Sequence, residues 1–322
     1  MNILLTGSSG WLGRYLAPLM SGDGHRVIGL DVAPGPDTRV IGSIMDRALV
    51  ARVMREHDIE AVIHAAALHQ PDMARYSRQS FVDVNVTGTL NLLEEAVAVG
   101  VSRFVFTSTT SLMISAAIRG GEGSEAAWLD ETVAPLEPRN IYGATKLAAE
   151  QLCRLTHAEH GLPVIILRTS RFFPEEDDQA DRIGLSGPNT KANELLYRRL
   201  TAEDAAEAHR VALERAPALG YGLFIVSAPT PFMRSDASEL KRDAAAVVAR
   251  YFPDAASLYA RKGWSLPRSI DRVYDASLAE QLLGFRCRGD FAAVLRALRE
   301  DGPLPFAHDA AYISPQETLR DA

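Results

Sequence analysis

Short apolar runs with little polar alternation recur through the first half of the chain: Ile3–Thr6, Arg26–Asp31, Ala61–Ala67, Arg103–Ser108 and Val164–Thr169. Runs of that length and composition predict strands buried on both faces, as in a parallel sheet. Segments of helical period lie between them, near Trp11–Ser21, Asp46–His57, Phe81–Gly100 and Ile141–Gly161. Strict strand–helix alternation predicts right-handed crossovers and an α/β fold with a doubly wound parallel sheet. Two stretches break the pattern and read as long loops. One is 112–140, with Gly120, Gly121 and Gly123; the other is 171–193, with Pro174, Glu175, Glu176, Asp177 and Asp178. Loops that long inside a compact domain usually serve function. Helical period returns near Ala202–Arg215, Ser235–Tyr251, Ser277–Leu283 and Asp290–Glu300, with an apolar strand at Leu223–Ser227. The expected organisation is a nucleotide-binding domain over 1–170 and a smaller substrate lobe over 171–322. The strand near 222–228 is expected to return to the first sheet.

Composition narrows the class of protein. Of the 322 residues, 47% are hydrophobic, which is ordinary for a globular chain, and the net charge of −7 offers no basic footprint for nucleic acid. Two cysteines, Cys153 and Cys287, cannot build a disulfide framework, and Cys153 reads as core packing. Apolar stretches such as Ala61–Leu68 fall well short of the roughly 20 residues that a membrane span needs. Only Met1 and Asn2 precede the first strand, which leaves no room for a signal peptide, so a cytoplasmic protein is expected. No His/Cys/Asp grouping has metal-ligand spacing, and no metal is expected.

The first strand ends in Thr6-Gly7-Ser8-Ser9-Gly10-Trp11-Leu12-Gly13. Here Gly7 allows a tight turn, Gly10 lets backbone approach a pyrophosphate, and Gly13 permits close helix–sheet packing. The following helix N-terminus offers unpaired N–H groups and a favourable dipole to phosphates, so Ser9, Trp11 and Leu12 join the candidate cofactor site. Asp31 ends the second strand 18 residues beyond Gly13, the range at which an acid bonds the adenosine ribose diol. A carboxylate there repels a 2′-phosphate, so NAD is favoured over NADP and a Rossmann-type domain is expected.

Tyr142 and Lys146 stand four apart at the start of a helical segment, on one face and one turn from each other. A free tyrosine titrates near pH 10, so a base working near 7 needs roughly 4 kcal/mol of phenolate stabilisation. A neighbouring ammonium, a cationic nicotinamide ring and the helix N-terminus are expected to supply it. Upstream, Phe104-Val105-Phe106 runs into Thr107-Ser108-Thr109-Thr110-Ser111, so a buried strand ends in hydroxyls at the edge where such sheets bind ligands.

These motifs resemble an extended short-chain dehydrogenase/reductase of the NAD-dependent epimerase/dehydratase family. The resemblance rests on Thr6–Gly13, Asp31, His64-Ala65-Ala66, Asn85 in Asn85-Val86-Thr87-Gly88-Thr89, the hydroxyl cluster, Tyr142–Lys146 and Arg168. It runs through residues 1–170 and more faintly beyond. It implies Tyr142 as general acid/base, Lys146 on the nicotinamide ribose, and Thr109, with Ser108 as neighbour, holding the substrate oxygen. It further implies Ala65, Ala66 and Ala67 lining the cofactor, Ser43 and Ile44 at the adenine, and a homodimer paired through helices 81–100 and 141–161. Asn85 and Phe172 complete the expected cofactor set.

Departures from the family pattern bear on the substrate. The dehydratases carry an Asp-Glu pair directly after the catalytic threonine; here Thr110 and Ser111 follow, which leaves water elimination poorly supported. Nucleotide-sugar epimerases place an asparagine where this chain has Arg171. A guanidinium there suits a carboxylate or phosphate, so a sugar acid joins the nucleotide sugars as a candidate, unless Arg171 pairs with Glu175 or Asp177. His69, Gln70, Thr110, Asn193 and Arg198 are further candidates for substrate contact. Asp204 reads as a helix-capping acid, and His64 as a satisfied strand histidine. Hydride transfer at a hydroxyl-bearing carbon is expected, either as an epimerase that keeps its NAD or as a dehydrogenase that releases NADH. A non-catalytic NAD-binding protein on the same fold is the remaining alternative.

Overall fold

A computed structural model describes residues 1–173 and 184–307. Seven parallel strands form the central sheet in the order β3-β2-β1-β4-β5-β7-β8. They are β1 (Asn2–Thr6), β2 (Arg26–Asp31), β3 (Thr38–Ile41), β4 (Ala61–His64), β5 (Arg103–Thr109), β7 (Val164–Thr169) and β8 (Tyr221–Val226). Helices α1 (Gly13–Gly22), α2 (Arg47–Glu56), α3 (Arg78–Val82), α4 (Gly88–Val99), α5 (Ala116–Gly120) and α6 (Ile141–His160) lie in the first half. The second half holds α7 (Gly187–Glu194), α8 (Ala202–Leu219), α9 (Ala237–Tyr251), α10 (Ala255–Arg261) and α11 (Phe291–Glu300).

The strands look uniformly apolar because each face has its own helical cover. Ile3, Leu5, Ile63, Val105, Ile165 and Leu167 pack on α1 and α8. Leu4, Val62, Phe104, Phe106, Val164 and Ile166 pack on α2, α4 and α6. Alternate residues of a strand point to opposite faces, so two covered faces make every position apolar. A third core of Leu240, Val247, Tyr259, Val273, Phe291 and Leu295 joins α9, α10 and α11 in the smaller lobe.

Several elements depart from the sequence expectations. The strand expected at 61–67 stops at His64, and Ala65–Leu68 run on as half-buried loop. The stretch 112–140 is not all loop: it holds α5 and the short strand β6 (Ala127–Leu129), which pairs in parallel with β9 (Arg272–Tyr274). Within 171–193, residues from Gly187 onward form α7, N-capped by Ser186 Oγ; Pro174 to Asp178 lie outside the described residues. The helix expected over 81–100 is interrupted by a π-wound turn, Asp83–Thr87, which carries Asn85. The helix expected near 277–283 is present, and its Ala279–Leu283 part is again π-wound. The cap of α8 is Thr201, whose hydroxyl accepts from Asp204 N–H at 3.0 Å. Asp204 instead accepts the backbone N–H groups of Arg288 and Gly289, at 2.9 and 2.8 Å, and so anchors the segment before α11.

Candidate active site

The carboxyl ends of β1, β4, β5 and β7 meet at one edge of the sheet, where an open α/β fold places its ligand crevice. At β1 the glycines separate by role. Gly7 has φ +76°, and a Cβ there would sit 2.8 Å from Ala66 N. At Gly13 a Cβ would lie 2.3 Å from Gly7 O, so the turn and α1 close only around glycine. A Cβ on Gly10 would meet nothing nearer than Gly7 O at 3.4 Å. The fold itself does not require glycine at position 10, whereas the close approach of a diphosphate would. No side chain caps α1, whose N-cap is Leu12, while Trp11 and Leu12 are themselves buried.

Asp31 locks this turn to β2. Its Oδ2 accepts from Ser9 N–H at 3.0 Å and its Oδ1 from Ala33 N–H at 3.0 Å. A carboxylate has about four lone-pair sites, so two remain for a ribose diol. Ser9 Oγ donates to Ala33 O at 2.7 Å and meets Thr38 Oγ1 at 2.6 Å, which ties β3 to the same corner. Ser43 is half-buried, and its Oγ accepts from Met45 N–H. Ile44 is buried against Gly88 of α4. An open glycine, an uncapped helix and an acid with spare lone pairs suit NAD.

Next along the edge, Asn85 straps the loop after β4 to α6. Its Oδ1 accepts from Leu68 N–H, and its Nδ2 donates to Leu68 O at 2.9 Å and to Thr145 Oγ1 at 3.1 Å. That bonding holds Ala65, Ala66 and Ala67 along the crevice rim. His64 is fully buried between Thr6 Oγ1 and Thr89 Oγ1, the satisfied strand histidine expected of it.

The hydroxyls ending β5 diverge because consecutive strand residues face opposite sides. Ser108 turns inward and donates to Glu150 Oε1 at 2.6 Å, and Glu150 in turn holds Arg168 at 3.0 and 2.7 Å. Thr109 hydrogen-bonds Tyr142. Thr110 is buried, with its hydroxyl toward Thr169 O. Only Thr109 of the expected pair therefore meets the tyrosine. Asn140 caps α6 by accepting from Gly143 N–H at 2.9 Å, which fixes the turn carrying Tyr142. Lys146 is 3% exposed, with Nζ 4.0 Å from the Phe106 ring centroid. Burial pulls its pKa down to about 7, against the opposing pull of the neighbouring Cys153 and Glu150. The Tyr142 phenol goes the other way from expectation. Loss of solvent pushes it up to about 12, outweighing the Thr109 bond, and the negative charge of Asp72 adds to the rise.

On the substrate side, His69 pairs with Asp72 and Gln70 is exposed. Phe172 is buried in the core and stacks on Phe173, with ring centroids 4.6 Å apart. Asn193 donates to Ser265 O at 3.0 Å, bracing α7 against the smaller lobe. Arg171 lies near Glu194, a 2%-exposed acid that also faces Arg198, Arg199 and Arg272. Arg198 donates to Glu194 Oε1 at 2.6 Å, and this arginine cluster holds the carboxyl below its ordinary range despite burial. The motifs in the sequence do not point to Glu150, Asp72 or Glu194. Glu150 falls four residues past Lys146 on the same helix face, and Asp72 stands three past His69 across Pro71, spacings that could have flagged both.

The NAD-dependent epimerase/dehydratase family model matches residues 3–220. The chain belongs to this family. Curated relatives include a dTDP-glucose 4,6-dehydratase of Streptomyces niveus, 34% identical over 54% of this chain and 55% of the relative. A UDP-glucose 4-epimerase of Azospirillum brasilense is 31% identical over 58% of this chain and 53% of the relative. The matched stretch thus spans about half the length of these curated relatives. In fold, the chain is similar to the Bacillus cereus UDP-glucuronic acid 4-epimerase crystallised with UDP-glucuronic acid and NAD. That likeness has a TM-score of 0.64 at 19% identity, over 93% of this chain and 98% of the other. Among the described residues no helix is long and apolar enough to cross a membrane, and no group of three His/Cys/Asp/Glu could hold a metal.

Proposed function

We propose that this family member transfers hydride at a hydroxyl-bearing carbon of a sugar or sugar derivative, with Tyr142 as acid/base. The observation that carries the reading is Tyr142 beside Thr109 at the end of β5, with Lys146 buried one turn along α6. When bound, NAD takes up the hydride, and its oxidised ring adds phenolate stabilisation that the chain alone lacks. Asp31 and the open backbone at Gly10 hold the two ends of the dinucleotide's adenosine diphosphate. Tyr142 Oη holds a proton at neutral pH, ready to be given to a carbonyl oxygen, and must lose it to act as a base on an alcohol. Thr109 orients that oxygen, and Lys146 would hold the nicotinamide ribose.

Ser108, engaged with Glu150, orients the strand end rather than the substrate. The arginines around Glu194 support a substrate with an anionic group, a nucleotide sugar or a sugar acid. Arg171→Ala is expected to raise KM for such a substrate about tenfold or more, the worth of one charge-assisted contact, while NAD affinity stays unchanged.

A panel of nucleotide sugars, uronates and neutral aldoses separates the reactions. Net NADH formation marks a dehydrogenase, whereas a new epimer without NADH marks an epimerase. Failure of every compound to react would sink the reading. Pairing through α4 and α6 is proposed as the route to a homodimer, seen in solution as twice the 35.0 kDa chain mass.

A further inference from the structure

Tyr142, Lys146 and Glu150 follow one another at four-residue steps and so share one stripe of α6. The stripe lies against the end of β5, where Phe106 and Ser108, two residues apart, point to the same face of the sheet. Lys146 Nζ stands 4.0 Å from the Phe106 ring centroid, and one turn on Ser108 Oγ donates to Glu150 Oε1 at 2.6 Å. Arg168 is paired directly opposite Ser108 in the parallel register of β5 and β7, so its side chain reaches the same carboxylate. Its Nε donates to Oε1 at 3.0 Å and its Nη2 to Oε2 at 2.7 Å. Glu150 thus ties α6 to two neighbouring strands at one point. The chain around Thr109 is held as well: Thr169 Oγ1 donates to Ser108 O at 3.0 Å, and Ser111 N–H donates to Thr109 Oγ1 at 3.1 Å.

Stability alone does not account for this arrangement. Glu150, Arg168 and Ser108 are at most 3% exposed, and desolvating an ion pair that deeply costs about as much as the pairing returns. Arg168 Nη1 remains buried without a hydrogen-bond partner among the described residues, which is a further cost. Apolar side chains of the same volume would join α6 to the sheet as firmly, but would leave it free to slide. Short directional bonds to two strands fix where α6 stands along β5. Eight residues of helix, a rise of about 12 Å, carry that fixed point to Tyr142. A single peptide carries it from Ser108 to Thr109.

We propose that Glu150, clamped by Ser108 and Arg168, is a positioning residue for the reaction, setting the register of α6 on β5 and with it the placement of Tyr142 beside Thr109. The proposal rests on the reading of Tyr142 as acid/base above. Glu150 and Ser108 act through Tyr142 and Thr109, so loosening the clamp lowers kcat and leaves KM and NAD affinity little changed.

A double-mutant cycle on kcat tests this. Ser108→Ala removes one bond of the clamp and leaves the Glu150–Arg168 pair, so the protein should fold. Its kcat should fall about tenfold or more, since a displacement of about 1 Å at a reacting group costs up to about 10²-fold. In a Thr109→Ala background, where the tyrosine's neighbour is already gone, the same substitution should change kcat less than about twofold. The double variant Glu150→Leu/Arg168→Met, apolar and of similar volume, should stay folded and show a comparable loss of kcat. Parental kcat in either folded variant, or an equal loss from Ser108→Ala with and without the Thr109 hydroxyl, would overturn the positioning role. Tyr142→Phe, run alongside, separates the underlying reading. Turnover retained there contradicts Tyr142 as acid/base, whereas turnover lost there with parental kcat in Ser108→Ala contradicts only the role of Glu150.

Discussion

Lys146 carries a charge where a charge is costly. It is almost wholly buried, and its pKa is pulled from 10.5 down to about 7. A lysine whose folded pKa lies below its unfolded one binds fewer protons when native, so stability from this group rises with pH between about 7 and 10.5. Below that window the full penalty applies, on the order of a few kcal/mol at roughly 1.4 kcal/mol per unit. Lys146→Met, of similar length and apolar, should therefore unfold at higher temperature than the parent at pH 6, by several degrees. The gap should close as the pH approaches 10, and turnover should be lost throughout. Equal melting temperatures across that range would mean that the ammonium is not desolvated as described. At this scale much was legible from sequence: Tyr142, Lys146, Asp31 and Asn85 all sit at one sheet edge. The direction of the Tyr142 shift was not, because spacing reveals a neighbouring cation but not how much water the fold removes. The split between Ser108 and Thr109 was equally hidden, since it depends on which face of β5 meets Glu150.

The turn between β1 and α1 shows how an element divides structural from ligand-directed glycines. Gly13→Ala places a Cβ 2.3 Å from Gly7 O and should cost several kcal/mol or prevent folding. Gly10→Ala meets only ordinary contacts and should fold with near-parental stability while binding NAD at least tenfold more weakly. Thermal melts and calorimetric titration with NAD measure both halves. A Gly10→Ala protein with parental affinity would remove the phosphate-cradle assignment. The strands and long helices of the sheet were readable because a two-face core leaves uninterrupted apolar runs. Strand β3 was missed: Thr38-Arg39-Val40-Ile41 is a short, half-exposed edge whose pattern is no different from a loop. Strands β6 and β9, three residues each, exist only because they pair with one another, each residue with one 145 positions away in sequence.

For the molecule as a whole, two buried histidines set the response to acid. His209 is fully buried between Ala205 O and Thr107 Oγ1, and loss of solvent lowers its pKa to about 4. His64 is likewise pushed well below its ordinary value, by burial and by the nearby Lys146 charge. Both stay neutral when folded but charge in the unfolded chain, so stability should fall as pH drops from about 6.5 toward 4. Urea midpoints measured across that range should decline by an amount worth a few kcal/mol, and a flat profile would contradict the assignment. The smaller lobe was the least legible part. Its core joins α9, α10 and α11 through Tyr259, Phe291 and Leu295, contacts that no local period announces. The arginines gathered on Glu194 come from β7's end, α7's end and β9, so their meeting is a property of the tertiary fold.

Tyr142→Phe tests the central claim most directly, because it deletes one oxygen and leaves the crevice intact. The account predicts NAD affinity unchanged by titration calorimetry and turnover of the best substrate lowered about 10³-fold, within the range for a lost acid/base. Turnover within a few-fold of the parent, with NAD bound normally, would contradict it.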